Sequence, residues 1–186
     1  MSQVQLTHEP ILMSNAQVLV LPVNSAGLLL DAVLVKSQSL YPDNYKRYRR
    51  ACQSGDLKAG SCLLYKRELE QSGLTASSNG NQPRFIANLV VSDHPYHPPR
   101  SEWLFEAIKD LQQQLLPLVR YQGIRKLALL ARPLIFTNEK RLNAKEISRL
   151  PLDWQNTTLP LLTNELSQIP KLQSMLHLPK TIEARQ

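Results

Sequence analysis

Residues 17–23 read QVLVLPV, a short apolar run of strand length. Two more runs recur along the chain, RFIANLVV at 84–91 and KLALLA at 126–131. SCLLYK at 61–66 reads as a strand paired with 84–91. Helix signals fall between these runs. GLLLDAVLVKSQSL, 27–40, places apolar residues at helical spacing. Pro42 suits the first position of a second helix, where its missing N–H has no intrahelical partner to lose. Gly55 then falls where a C-terminal cap belongs. Ser101 is placed to cap a long helix that stops at Gly123, and Pro117 is expected to kink its last turns. Residues 157–169 read as a last helix. Strands alternating with helices imply a layered α/β domain.

Length and composition narrow the class. A chain of 186 residues forms one domain with a sizeable core. The boundaries read as a folded domain over 1–170 and a loosely packed C-terminal tail over 171–186. RELEQSGLTASSNGNQP, 67–83, reads as a polar loop, and the stretch after residue 131 as long and irregular. No apolar run reaches the length of a bilayer span, about 20 residues, so no membrane association is expected. The N-terminus lacks a basic start followed by an apolar run, and Cys52 and Cys62 build no disulfide framework. A cytoplasmic location is the expectation.

The net charge of +7 is uneven. Eight basic residues face only Asp43 and Asp56 between Lys36 and Arg67, and eight face only Glu139 and Glu146 between Arg120 and Arg149. The remainder of the chain is net acidic. Two patches, Arg47, Arg49, Arg50 and Lys58 in one and Lys140, Arg141 and Lys145 in the other, suit an anionic partner. The alternative is that both are solvated helix faces.

LPVNSAG followed by a helix, then YPDNYKRYRRACQSGDLKAG, resembles a macro domain of the branch found in DNA ADP-ribosyl glycohydrolase antitoxins, the DarG type. RFIANLVVSDH, SEWLFEAIKDLQQQL, GIRKLALLA and LPLDWQNTTLPLL follow in the family's order. The resemblance covers roughly residues 9–168. It implies a three-layer α/β/α fold with a mixed central sheet and an ADP-ribose cleft at the strand ends.

Carried over residue by residue, the family's ligand chemistry is thin. The place of its adenine-binding Asp falls at Pro10, with Glu9 beside it. Of its two asparagines only Asn24 remains, the other place being Leu21. The resemblance puts Asn24 at the distal ribose, with Ser25, Ala26 and Gly27 offering backbone groups. The glycine-rich phosphate loop is replaced by Leu28, Leu29, Leu30, Asp31 and Ala32. Glycine lets backbone N–H groups close on a diphosphate, whereas leucine resists that backbone and the carboxylate of Asp31 repels phosphate. No glycine follows Gly123, so the second phosphate loop lacks its nest as well. Ser92 stands where the branch has a catalytic lysine.

The remaining candidates are Asp93 and His94, as an acid–base pair, and His94 with His97, as metal ligands lacking a third. Ligand contacts are therefore assigned to Asn24, Ser25, Gly27 and Ser92, and catalysis only weakly to Asp93 and His94. No metal and no cofactor are expected. The sequence thus predicts a macro-domain-like protein with a degenerate ADP-ribose cleft. It would serve as a non-catalytic module for a protein or nucleic-acid partner bound through basic patches. The alternative is a divergent ADP-ribosyl glycohydrolase acting on an ADP-ribosylated macromolecule.

Overall fold

A computed structural model describes residues 2–67, 83–135 and 153–182. Six strands form one sheet: β1 (Gln3–Thr7), β2 (Val18–Asn24), β3 (Cys62–Lys66), β4 (Phe85–Ser92), β5 (Lys126–Leu130) and β6 (Gln173–His177). Their order is β1-β6-β5-β2-β4-β3. Every neighbouring pair is parallel except β3 with β4, so the sheet is mixed, as expected.

Among the described residues four α-helices cover it: α1 (Ala32–Leu40), α2 (Pro42–Ser54), α3 (Ser101–Tyr121) and α4 (Leu159–Ser167). The core is split by the sheet. On one face Leu104, Ile108, Leu111 and Leu115 of α3 and Leu162 and Leu166 of α4 meet Val18, Val20, Leu89 and Leu129. On the other, Leu34 of α1 and Tyr48 of α2 meet Leu19, Leu21, Ile86 and Val90. These are the three layers of an α/β/α domain. All residues of β2 and β4 are buried, because these inner strands have helices on both faces, which is why their sequence is apolar without alternation.

Local chemistry explains most helix ends. Pro42 opens α2, and Gly55 closes it with φ 78°, a left-handed conformation that glycine adopts without steric penalty. Three expectations need correction. First, α1 begins at Ala32 rather than Gly27, because Asp31 caps it, its side chain accepting from Val33 N at 2.9 Å. The leucines before it, Leu28, Leu29 and Leu30, lie in irregular backbone, not helix. Second, Arg100 is the N-cap of α3; Ser101 is its first helical residue, and the helix continues through Pro117 to Tyr121. Third, residues 171–182 are not a loose tail. They supply β6, which lies between β1 and β5 and pairs with both over all five of its residues.

Strands β1 and β6 escaped sequence reading because no described helix covers their outer face. Gln3, Gln5 and Gln173 are exposed there, and the pattern lacks an apolar run. The segment over residues 67–83 falls largely outside the described residues, and Lys140, Arg141 and Lys145 fall outside them entirely.

Candidate functional site

The C-terminal ends of β2 and β4 open into a cleft of about 530 Å³, walled by Leu29, Leu30 and Asp31 on one side and Pro95, Tyr96 and Pro133 on another. Asn24 ends β2 at its floor, only 7% exposed, opposite Ser92 across a register shift. Both functional groups of its side chain are engaged with its own chain. Oδ1 accepts from Ala26 N at 3.0 Å and Gly27 N at 3.1 Å, and Nδ2 donates to Leu28 O at 2.7 Å. The Tyr48 hydroxyl donates to Asn24 O from α2, and Cys52 Sγ lies 3.8 Å from the same oxygen. Burial pushes the Tyr48 hydroxyl and the Cys52 thiol up from their ordinary pKa values.

The turn after Asn24 is packed as tightly as it is hydrogen-bonded. Gly27 has φ 79°, and a Cβ built on it would stand 3.3 Å from Cys52 Cβ. Ser25 N donates to Ser92 O at 3.0 Å. The donors of Ser25, Ala26 and Gly27, expected to face a ligand, thus all point to internal acceptors. Beyond them Leu29 is buried in the core while Leu28 and Leu30 stay 51% exposed.

Asp31 occupies the start of α1. One carboxylate oxygen accepts from Val33 N, and the other lies 3.4 Å from Arg132 Nε, which arrives from the loop after β5. The side chain of Asp31 is 15% exposed. A helix N-terminus favours an anion through its unpaired N–H groups and its dipole. Here the anion is a side chain of the protein, and Arg132 supplies its counter-charge. Nothing in the sequence signalled the Arg132 contact, which joins residues a hundred positions apart.

The facing wall is the loop after β4. Ser92 Oγ bonds the carbonyl oxygens of His94 at 2.9 Å and His97 at 3.0 Å, and it accepts from His94 N at 3.3 Å, so it serves as a loop clamp. The acid–base pair is not the expected one. Asp93 Oδ1 meets His97 Nδ1 at 3.0 Å, while His94 Nδ1 accepts from Tyr96 N at 3.2 Å. The loop turns back on itself, which brings i and i+4 together and separates immediate neighbours. The His97 hydrogen bond holds the Asp93 carboxyl below the usual range. The pair is open to water, at 51% for Asp93 and 61% for His97. The His94 and His97 rings lie 4.8 Å apart. Among the described residues no group of three or more His, Cys, Asp or Glu is placed to hold a metal ion.

Glu9 and His177 were not foreseen as partners. His177 Nδ1 donates to Glu9 O at 2.8 Å, and burial lowers the imidazole pKa. Both line a second cavity of about 330 Å³ beside β1 and β6.

No family model matches the chain. The DNA ADP-ribosyl glycohydrolase of Thermus aquaticus is 35% identical over 95 residues, which cover 51% of this chain and 24% of that protein. The match thus spans about a quarter of the relative's length. The macrodomain of Thermus aquaticus DarG superposes with a TM-score of 0.73 at 22% identity, over 96% of this chain and all of that one. The fold is that of a macro domain. The Mycobacterium tuberculosis DarG macrodomain gives 0.70 at 17% identity, covering 97% of this chain and 100% of that one. Thermosipho africanus DarTG, solved in complex with ADP-ribose, gives 0.72 at 18% identity, over 98% of this chain and 43% of that one. The macro-domain frame is therefore kept here, while the wall formed by residues 24–33 has its polar groups turned inward.

Proposed function

We propose that this protein is a macro-domain-fold binding module that holds a protein or nucleic-acid partner and does not turn over ADP-ribose. The observation that carries this reading is the Asp31 carboxylate at the N-terminus of α1, paired with Arg132. A phosphate brought to that place meets the negative charge of Asp31. The neighbouring N–H groups of Ser25, Ala26 and Gly27 are committed to Ser92 O and Asn24 Oδ1. Hydrogen bonds to a charged acceptor contribute about 1.5–3 kcal/mol each. Losing several removes most of the roughly 8 kcal/mol behind a micromolar affinity. No described helix is long and apolar enough to cross a membrane; a cytoplasmic location belongs to the same proposal.

A single-turnover assay on ADP-ribosylated single-stranded DNA tests it. The proposal expects no released ADP-ribose above the rate without protein.

One observation favours a second reading. Asp93 and His97 form a hydrogen-bonded pair on a cleft lined by His97. With Nδ1 held by the carboxylate, Nε2 of His97 has the geometry of a general base for water. On that reading the protein is a divergent ADP-ribosyl glycohydrolase, and release of ADP-ribose is lost in both Asp93→Asn and His97→Gln.

A further inference from the structure

The edge strand β3 and the exposed face of α2 together form a surface that the cleft chemistry does not use. Among the described residues β3 is the outermost strand on its side of the sheet, paired with β4 alone. An edge strand presents every second residue's N–H and C=O outward. The outward groups of Cys62 are covered, since its N donates to Asp110 Oδ2 at 2.8 Å and its O accepts from Gln114 Nε2 at 2.9 Å. Alternation makes Leu64 and Lys66 the next outward residues, and their backbone groups have no such partner among the described residues. Among the described residues, half of the edge is guarded by α3 and half has no partner.

The basic face of α2 runs beside Leu63, the residue between the guarded Cys62 and the outward Leu64. A groove of about 570 Å³ is lined by Lys46, Arg47, Arg50 and Ala51 of α2 and by Leu63 of β3, with Asp43 and Asp56 also on its rim. Lys46, Arg47, Arg49 and Arg50 are exposed and form no ion pair among the described residues. Of the two acids, Asp56 accepts from Ser54 Oγ at 2.7 Å. The floor is aliphatic. Tyr48, the aromatic ring of α2 nearest the core, is 1% exposed and turned inward, so the groove offers no ring on which a nucleobase stacks.

We infer that this surface docks an extended acidic segment of a protein partner, which adds as a strand to the Leu64–Lys66 edge and sets its carboxylates against Lys46, Arg47 and Arg50. Strand addition draws affinity from main-chain bonds and specificity from alternate side chains. In such a segment alternate side chains fall on the α2 face, where the cations stand, and the others on the α3 face. Acidic residues on the first set and an aliphatic residue over Leu63 complete the match. The inference is independent of the state of the cleft.

The test is fluorescence anisotropy with the full chain and a labelled synthetic peptide of alternating Glu and Val. Binding is expected, with amide NMR shifts centred on Leu64 and Lys66. The combined Lys46→Glu, Arg47→Glu and Arg50→Glu variant should bind at least about tenfold more weakly, with a melting temperature within a few degrees of the parent. N-methylation of alternate peptide amides, which leaves the protein untouched, should weaken binding by about tenfold through loss of ladder bonds. Leu64→Pro should do the same, because an outward N–H is the one an edge strand can lose. An N-methylated peptide or a plain poly-Glu peptide that binds as well as the alternating one would overturn the strand mode. An oligothymidylate that binds more tightly than the peptide at the same salt would overturn the choice of partner.

Discussion

The two walls of the cleft are built from similar materials and end in opposite states. In the wall from Asn24 to Val33, the polar side chains that reach the cleft are bonded within the protein: Asn24 holds the turn, Asp31 caps α1, and Arg132 neutralises Asp31. In the wall from Ser92 to Pro99, the backbone is clamped by Ser92 but the titratable side chains stand in water. A buried polar group without a partner costs about 1–3 kcal/mol, so the first wall is held by stability. The second is not, and its chemistry can vary without unfolding the protein. The contrast separates residues kept for structure from residues free to serve a ligand.

The sharpest way to break the comparison is Asn24→Ala. It strands the N–H group of buried Gly27, together with the N–H of Ala26 and the carbonyl of Leu28, exposed residues that water can reach, and a loss of about 2 kcal/mol is expected in chemical denaturation. A loss below about 0.5 kcal/mol would show that the turn does not need it. Gly27→Ala follows, at about 1–2 kcal/mol for a left-handed backbone, with the contact on Cys52 Cβ adding to it.

Asp31→Ala removes a helix cap and should cost about 1 kcal/mol. Asp31→Asn keeps an oxygen acceptor for Val33 N and removes the charge, so it should cost less than the Ala variant while removing the attraction to Arg132. The smallest effect belongs to the other wall. Asp93→Asn should change stability at neutral pH by no more than about 0.5 kcal/mol, because the pair with His97 is largely solvent-exposed. Its sign is fixed: a carboxyl lowered in the folded state contributes fully above its unfolded pKa of about 3.9, and that contribution is lost as pH falls from there through the lower folded value. Melting curves of parent and variant should therefore converge in acid and differ, slightly, above it.

Much of the fold was legible because burial writes itself into the sequence. β2, β4 and β5 announced themselves as apolar runs, and α2 by Pro42 and Gly55. β1 and β6 did not, since Gln3, Gln5 and Gln173 face an uncovered part of the sheet and interrupt the pattern. The start of α1 was misplaced because Leu28 and Leu30 mimic a helical face, whereas Asp31 carries the capping signal. In the site, the position of Asn24 could be read but the use of its amide could not. Which atoms it satisfies depends on the path of the turn that follows. The pairing of Asp93 with His97 depends likewise on a loop that reverses, and the Asp31–Arg132 contact on the segments after the adjacent strands β2 and β5 meeting at the same end of the sheet.

The central claim is that the protein's own carboxylate holds the place where the macro-domain frame would receive a diphosphate. Isothermal titration calorimetry of the unmodified full chain with free ADP-ribose at neutral pH and low salt addresses it directly. The account predicts a dissociation constant weaker than about 1 mM or no measurable heat. A dissociation constant in the low micromolar range would contradict it, and would make the inward-turned wall a feature that ADP-ribose displaces rather than one that excludes it.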